Sequence, residues 1–191
     1  VEDTRLKNLT EKGKDINEIV LAQKQDQAVK KWMADLYGKA KIDINDQILQ
    51  AHSMMLSGKI DDAIDAYNKA LLANPYNGYI YLFLGNAYKQ TKKNDLALAQ
   101  YTRAYETSGA DVNLLMAVAD SFLETGKRQL ALEAYRKASL MAGDAKDAHV
   151  ELKSLFAKLG ESTDAGKEQS EIKRIEKKER FEKEIQQQIG K

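Results

Sequence analysis

A pattern that returns every 34 residues constrains this chain more than any other feature in it. Ala63-x3-Tyr67-x2-Ala70-x4-Pro75 recurs as Ala97-x3-Tyr101-x2-Ala104-x4-Gly109, and again as Ala131-x3-Tyr135-x2-Ala138-x4-Gly143. A fixed period between about 20 and 50 residues marks stacked supersecondary units, none of which can bury its apolar face alone. The repeats therefore have to be placed before any site is sought.

Each unit has two halves. In the first, a large apolar residue usually precedes a small one, with another large one three further on: Gln50-Ala51-x2-Met54, Leu84-Gly85-x2-Tyr88, Val118-Ala119-x2-Phe122 and Leu152-Lys153-x2-Phe156. Small residues let a neighbouring helix approach, and the aromatic residues fill the space beside it. In the second half Ala63, Ala97 and Ala131 are the close-contact points and Tyr67, Tyr101 and Tyr135 the wedges. Turns are expected at Ser57-Gly58-Lys59, Thr91-Lys92-Lys93, Thr125-Gly126-Lys127 and Leu159-Gly160-Glu161. Asp61 and Asn94 or Asp95 are expected to open the second helices with an acceptor oxygen and a negative charge, while Pro75, Gly109 and Gly143 close them.

These residues resemble the tetratricopeptide repeat family. The resemblance is strong over about residues 44–145 and rests on the period, Gly85, Ala97 with Tyr101 and Ala104, and Pro75 together. It implies an all-α fold: a right-handed superhelix of stacked antiparallel helix pairs with N- and C-terminal capping helices. The expected division is a lead-in over 1–43, an array over 44–176 and a charged extension over 177–191. Within the array, clear repeats span 44–77, 78–111 and 112–145, and a degenerate fourth spans 146–176. Ala165 keeps the register there, but Lys153 replaces the small residue and Gln169 the aromatic wedge.

The flanks read as helices. Val29, Trp32, Met33, Leu36, Tyr37 and Ala40 follow the spacing of one buried face, so a capping or packing helix is expected, with Trp32 in the core. A degenerate extra repeat over 10–43 is the alternative. In the tail, Glu176 with Arg180 and Glu179 with Lys183 are spaced for i, i+4 pairs. Ile172 and Ile175 are expected to cap the fourth repeat; Phe181, Ile185 and Ile189 lie on a part that is either a handle for another chain or a solvated extension.

Composition narrows the function. Thirty Lys and Arg balance 29 Asp and Glu, so no global field recruits nucleic acid or an anionic surface, and interleaved glutamates cancel the lysines of the tail. No apolar run reaches the ~20 residues of a membrane span, so direct membrane insertion is not expected. The absence of cysteine excludes thiolate chemistry but leaves the compartment open. The chain starts at Val1 without a signal-like stretch, which reads as a processed or partial product, the soluble part of an exported or anchored protein included. His52 and His149, 97 residues apart, lack the companions of a metal or acid–base site, and no phosphate loop or nucleophile elbow is present. No catalytic residue, metal or cofactor is expected, and the chain is read as a non-enzyme.

By the resemblance, first helices line a concave groove whose residues here are Ile48, His52, Met55, Tyr79, Leu82, Asn86, Lys89, Asn113, Met116, Asp120 and Leu123. Ile48, Met55, Leu82, Met116 and Leu123 would form an apolar floor, with Asn86, Lys89 and Asp120 as polar pins. Such a floor suits a peptide or an amphipathic helix. Two further readings stay open: the chain's own terminal helices cover this floor, or its residues pack between repeats. The clamp by which some family members hold an acidic chaperone tail is argued against, since Ile48, His52, Phe83, Asn113 and Ala117 supply no Lys or Arg at its positions. The expected role is a protein-interaction adaptor or assembly factor with a protein or peptide partner. The alternative is a self-assembly module, a homo-oligomer in which a terminal helix fills a neighbour's groove.

Overall fold

The short turn inside each repeat depends on one left-handed residue. Gly58, Gly126 and Gly160 sit at φ of 75°, 74° and 76°, and at the equivalent place in the second repeat Lys92 adopts φ 60°. The computed structural model that shows this describes residues 20–33 and 46–189. Each left-handed residue closes the preceding helix in the same way, as Gly58 N–H bonds Met55 O and Lys59 N–H bonds Met54 O. Helix α1 covers residues 20–33. It is followed by α2 (Gln47–Leu56), α3 (Ile60–Ala73), α4 (Gly78–Gln90), α5 (Asn94–Thr107), α6 (Val112–Glu124), α7 (Arg128–Met141), α8 (Lys146–Lys158) and α9 (Ser162–Ile189). No strand occurs among the described residues, and the fold is an all-α solenoid.

Capping differs from the sequence expectation. The acceptor oxygens serve the first helices: Asp46 takes the N–H groups of Ile48 and Leu49, Asn77 that of Tyr79, and Asp111 that of Leu114. The second helices α3 and α5 start from Lys59 and Lys93 without a side-chain cap, and Asp61 and Asp95 lie in their first turns. There their charge acts on the helix dipole, and Asp61 also lies 3.8 Å from Lys93 Nζ.

Pairing α2 with α3, α4 with α5, α6 with α7 and α8 with α9 buries the stripe of alanines and tyrosines, and each pair then packs on the next. One core cluster joins the first two repeats around Tyr67, Ile80 and Leu84. A second runs from Leu82 through Tyr101, Phe122 and Tyr135 to Phe156, and Tyr88 packs against both. Tyr67, Tyr101 and Tyr135 are fully buried by residue, yet each hydroxyl reaches a side chain 15 positions back: Tyr67 Oη lies 2.7 Å from His52 Nδ1, Tyr101 donates to Asn86 Oδ1 at 2.8 Å, and Tyr135 donates to Asp120. The fourth repeat replaces this tether with Lys153 donating to Gln169 Oε1 at 2.5 Å.

The described part of the N-terminal segment differs from its expectation. Trp32 is 63% exposed and Val29 52%, so Trp32 is not a core residue among the described residues. The remainder of the expected lead-in, 1–19 and 34–45, lies outside the described residues. In α9, Ile172 and Ile175 are buried and everything after Ile175 is exposed. Glu176 and Glu179 turn to Lys146, at 3.0 and 3.8 Å, in place of the expected partners within α9. They tie α9 to the start of α8.

Three expectations follow. Replacing Lys92 with Gly removes the left-handed penalty of a side chain and should raise the urea midpoint by an amount equivalent to about 1 kcal/mol. Gly85→Ala should lower it by about 1–3 kcal/mol, because a Cβ there would stand 2.5 Å from the Tyr101 ring. Burial pushes the Tyr67 and Tyr101 hydroxyls up to about 12, and Tyr135 higher still with the Asp120 carboxylate adding to burial. The fold therefore favours the neutral phenols. This contribution is fully present below the usual tyrosine value of 10 and is lost as pH rises from there through about 12. Urea midpoints measured across that window should fall, and a Tyr67→Phe/Tyr101→Phe double variant should lose part of the slope.

Candidate functional site

The wedge tyrosines fix where the groove lies, because each hydroxyl emerges between its own first helix and the first helix of the next repeat. At the first such station, between α2 and α4, the imidazole of His52 meets Phe83 edge to face with centroids 4.5 Å apart, and Tyr67 stacks on Phe83 at 6.1 Å. Tyr79 lies 6.3 Å from the same ring. His52, Met55, Leu56, Tyr67, Phe83, Asn86 and Gln90 line an open cavity of about 420 Å³ with a mainly apolar wall. Burial pushes the His52 imidazole below its usual value, outweighing the opposing pull of Asp46. Near neutral pH its ring is therefore uncharged and belongs with the apolar surface.

At the second station, between α4 and α6, Asn86 receives the Tyr101 hydroxyl at 2.8 Å. Lys89 crosses to α6 and pairs with Glu124, and these two with Asn86 and Gln90 line a hollow of about 340 Å³. At the third station, between α6 and α8, Asp120 accepts the Tyr135 hydroxyl and Glu151 adds a second carboxylate whose charge also acts on Tyr135.

The structure brings together some of the expected residues and removes others. His52, Met55 and Asn86 share the first cavity. Tyr79, Asn113 and Asp120 are exposed along the same face, and Ile48 and Leu123 are half-buried against the core clusters. Leu82 and Met116 are only 5% and 7% exposed and belong to the packing between repeats, so they form no part of a floor. Lys89 is committed to Glu124 and is not a free pin. Phe83 and Glu151 were not among the expected lining residues. The signal that finds them is the 34-residue register Leu49, Phe83, Ala117, Glu151, which places Phe83 beside Tyr67 and Glu151 near Tyr135 of the preceding repeat.

Away from the groove, a polar cluster is buried under α9. His149 and Glu168 are both almost fully buried, with His149 Nδ1 2.6 Å from Glu168 Oε2 and His149 Nε2 3.1 Å from the Gly143 carbonyl. Ser139 donates to the other carboxylate oxygen at 2.5 Å. The serine bonds the carboxylate and not the imidazole, so the order needed to activate a nucleophile is absent from this cluster. It joins α7, α8 and α9. No group of three or more His, Cys, Asp or Glu suited to a metal occurs among the described residues, and none of their helices is long and apolar enough to cross a membrane.

Comparison with known proteins gives the array a family. Residues 49–112 match the family model for the tetratricopeptide repeat. Among solved structures, one described as a crystal structure of MamA is similar with a TM-score of 0.49 at 19% identity, covering 83% of this chain and 95% of that one. Another, of MamA protein, has a TM-score of 0.48 at 21% identity over 68% and 71%. A MamA RS-1 ArsTM double mutant has 0.49 at 14% over 80% and 86%. No curated protein matches the sequence. Over residues 49–112, where the 34-residue step and its first helix pairs lie, the chain is similar to the tetratricopeptide repeat family.

Proposed function

We propose that this protein is a non-enzymatic adaptor that holds a segment of a protein partner along its concave face. The observation that carries this reading is the open, largely apolar cavity of His52, Met55, Leu56, Phe83 and Asn86. Its walls are braced by buried tyrosines, so binding requires little reorganisation of the protein. Met55 can adapt to an imperfect fit, and Asn86 and Gln90 offer hydrogen bonds that orient a peptide backbone. A peptide or one face of an amphipathic helix has the dimensions and chemistry for such a strip. A second reading of the same groove, favoured by the exposed Val29 and Trp32, is that the occupant comes from another copy of the chain.

The adaptor reading separates groove from core by mutation. Met55→Asp with Phe83→Ser should abolish capture of partner proteins in pull-downs read by mass spectrometry, while the helical melting curve stays cooperative. Leu82→Asp or Met116→Asp should instead destroy cooperative melting, since each would bury an unpaired charge between repeats. Undiminished capture by the Met55→Asp/Phe83→Ser variant would remove the groove from the function.

A further inference from the structure

The polar cluster under α9 fixes a number of protons by its geometry. His149 Nε2 lies 3.1 Å from the Gly143 carbonyl oxygen, which only accepts, so this nitrogen bears a hydrogen. His149 Nδ1 lies 2.6 Å from Glu168 Oε2, while Ser139 donates to Glu168 Oε1. Two bare lone pairs cannot face each other at that distance in a buried site, so one further proton lies between imidazole and carboxyl. On either atom it leaves the pair neutral as a whole. Taking it away sets a buried carboxylate against a lone pair, and adding another leaves a buried cation.

The charged groups on the elements around the pair are engaged with one another. Arg136 of α7 pairs with Glu161 and Asp164, and Lys167 of α9 with Asp164. Lys146 of α8 pairs with Glu176 and Glu179, and Lys153 bonds Gln169. Arg174 pairs with Glu171 and with Asp144 of the preceding turn, and also donates to the Gly143 carbonyl. The proton between His149 and Glu168 is therefore held by those two side chains, each 2% exposed.

We propose that His149 and Glu168 form a one-proton clasp that holds α9 in weakly acidic solution and releases it as pH rises through and beyond neutrality. When α9 leaves, both groups meet water and take their ordinary values, about 4.3 for the carboxyl and about 6.5 for the imidazole. Between those values the released pair also holds one proton, so docking is indifferent to pH. Above about 6.5 the released pair holds none and the docked pair one, so each further unit of pH favours release about tenfold. Below about 4.3 the released pair holds two, and release is favoured again. There Asp164, held below the usual range by Lys167 and Arg136, and Asp144, held down by Lys178 and Arg174, add to the same loss. The alkaline arm is free of them. His52 on α2, pushed below its usual value by burial, is uncharged throughout that arm. The end unit of such an array has one neighbour only, so α9 can leave while α2–α7 stay folded, exposing Ile172 and Ile175.

Amide hydrogen exchange of the full chain tests this, expressed as protection factors so that the base-catalysed intrinsic rate divides out. Protection of residues 162–175 should fall about tenfold per unit between about pH 6.5 and 8.5, while that of α4 and α6 stays constant. Glu168→Gln gives the discriminating profile. Its amide can donate to His149 Nδ1 and accept from Ser139, which holds the docked cluster without a titrating proton. Its protection should be flat above about pH 6.5 and fall about tenfold per unit from there to about pH 5, because only the released imidazole takes up a proton. A contact that merely packs would change the level of protection and not the sign of its slope. Flat wild-type protection above about pH 6.5 overturns the proposal, as does a wild-type slope kept by Glu168→Gln or a fall shared equally by α4 and α6. Should Glu168→Gln leave α9 unprotected at every pH, the nitrogen-15 shifts of the wild-type His149 ring decide. Constant shifts from about pH 5 to 8 support the clasp, and titration near about 6.5 with α9 still protected overturns it.

Discussion

The fold depends on a flat aromatic ring pressed where no side chain can stand. Tyr101 lies so close to Gly85 that a Cβ there would meet ring carbons at 2.5 and 2.6 Å. This contact sets the spacing of α4 and α5, and Ala51 and Ala119 occupy the equivalent place before Tyr67 and Tyr135. A ring held so tightly has one direction left for its hydroxyl. That direction is the groove, where it finds His52, Asn86 or Asp120. Core packing and groove chemistry are thus joined through single side chains, and the rigidity of the first is passed to the second.

Much of this was legible in the sequence, because a period is an unusually strong signal. The alanines and tyrosines that repeat at 34 residues are the buried ones, and α4, α6 and α8 begin at Gly78, Val112 and Lys146. The groove was legible only to within part of a helical turn. Around α4, Tyr79, Phe83, Asn86 and Gln90 form the accessible strip, with Phe83 and Asn86 half-buried, and Leu82 lies about 70° to one side of its centre at 100° per residue. A first helix in such an array is buried on two sides, by its own partner helix and by the next repeat. Apolar spacing marks the sum of both faces and does not say where the gap between them falls, so Leu82 and Met116 read as groove residues. Trp32 fails for a related reason: an apolar stripe shows that a surface needs cover, not which molecule provides it.

The last repeat shows how an array can end without the wedge. Lys153 stands where the others have Ala or Gly and Gln169 where they have Tyr, so the ring-on-glycine contact cannot form there. The buried His149–Glu168 pair with Ser139 holds α9 down in its place, and Asp164, with its carboxyl held below the usual range by Lys167 and Arg136, fastens the helix to α7. Buried polar contacts of this kind add little net stability compared with apolar packing, but leaving one partner alone is costly. They therefore fix the position of α9 strictly. From sequence, His149 and Glu168 were two unrelated polar residues 19 positions apart; only the antiparallel turn between α8 and α9 brings them together.

Function has room only where packing does not decide the residue. Positions in the register of Tyr67, Gly85 and Ala97 are consumed by the repeat itself, and they change little through the first three units. The register Leu49, Phe83, Ala117, Glu151 varies from large apolar to aromatic to small to charged, although the backbone around it is the same. Its neighbours His52, Asn86 and Asp120 vary as well, within the one requirement that each can bond a tyrosine hydroxyl. A surface that must only be soluble needs no ordered change from aromatic to acidic along its length.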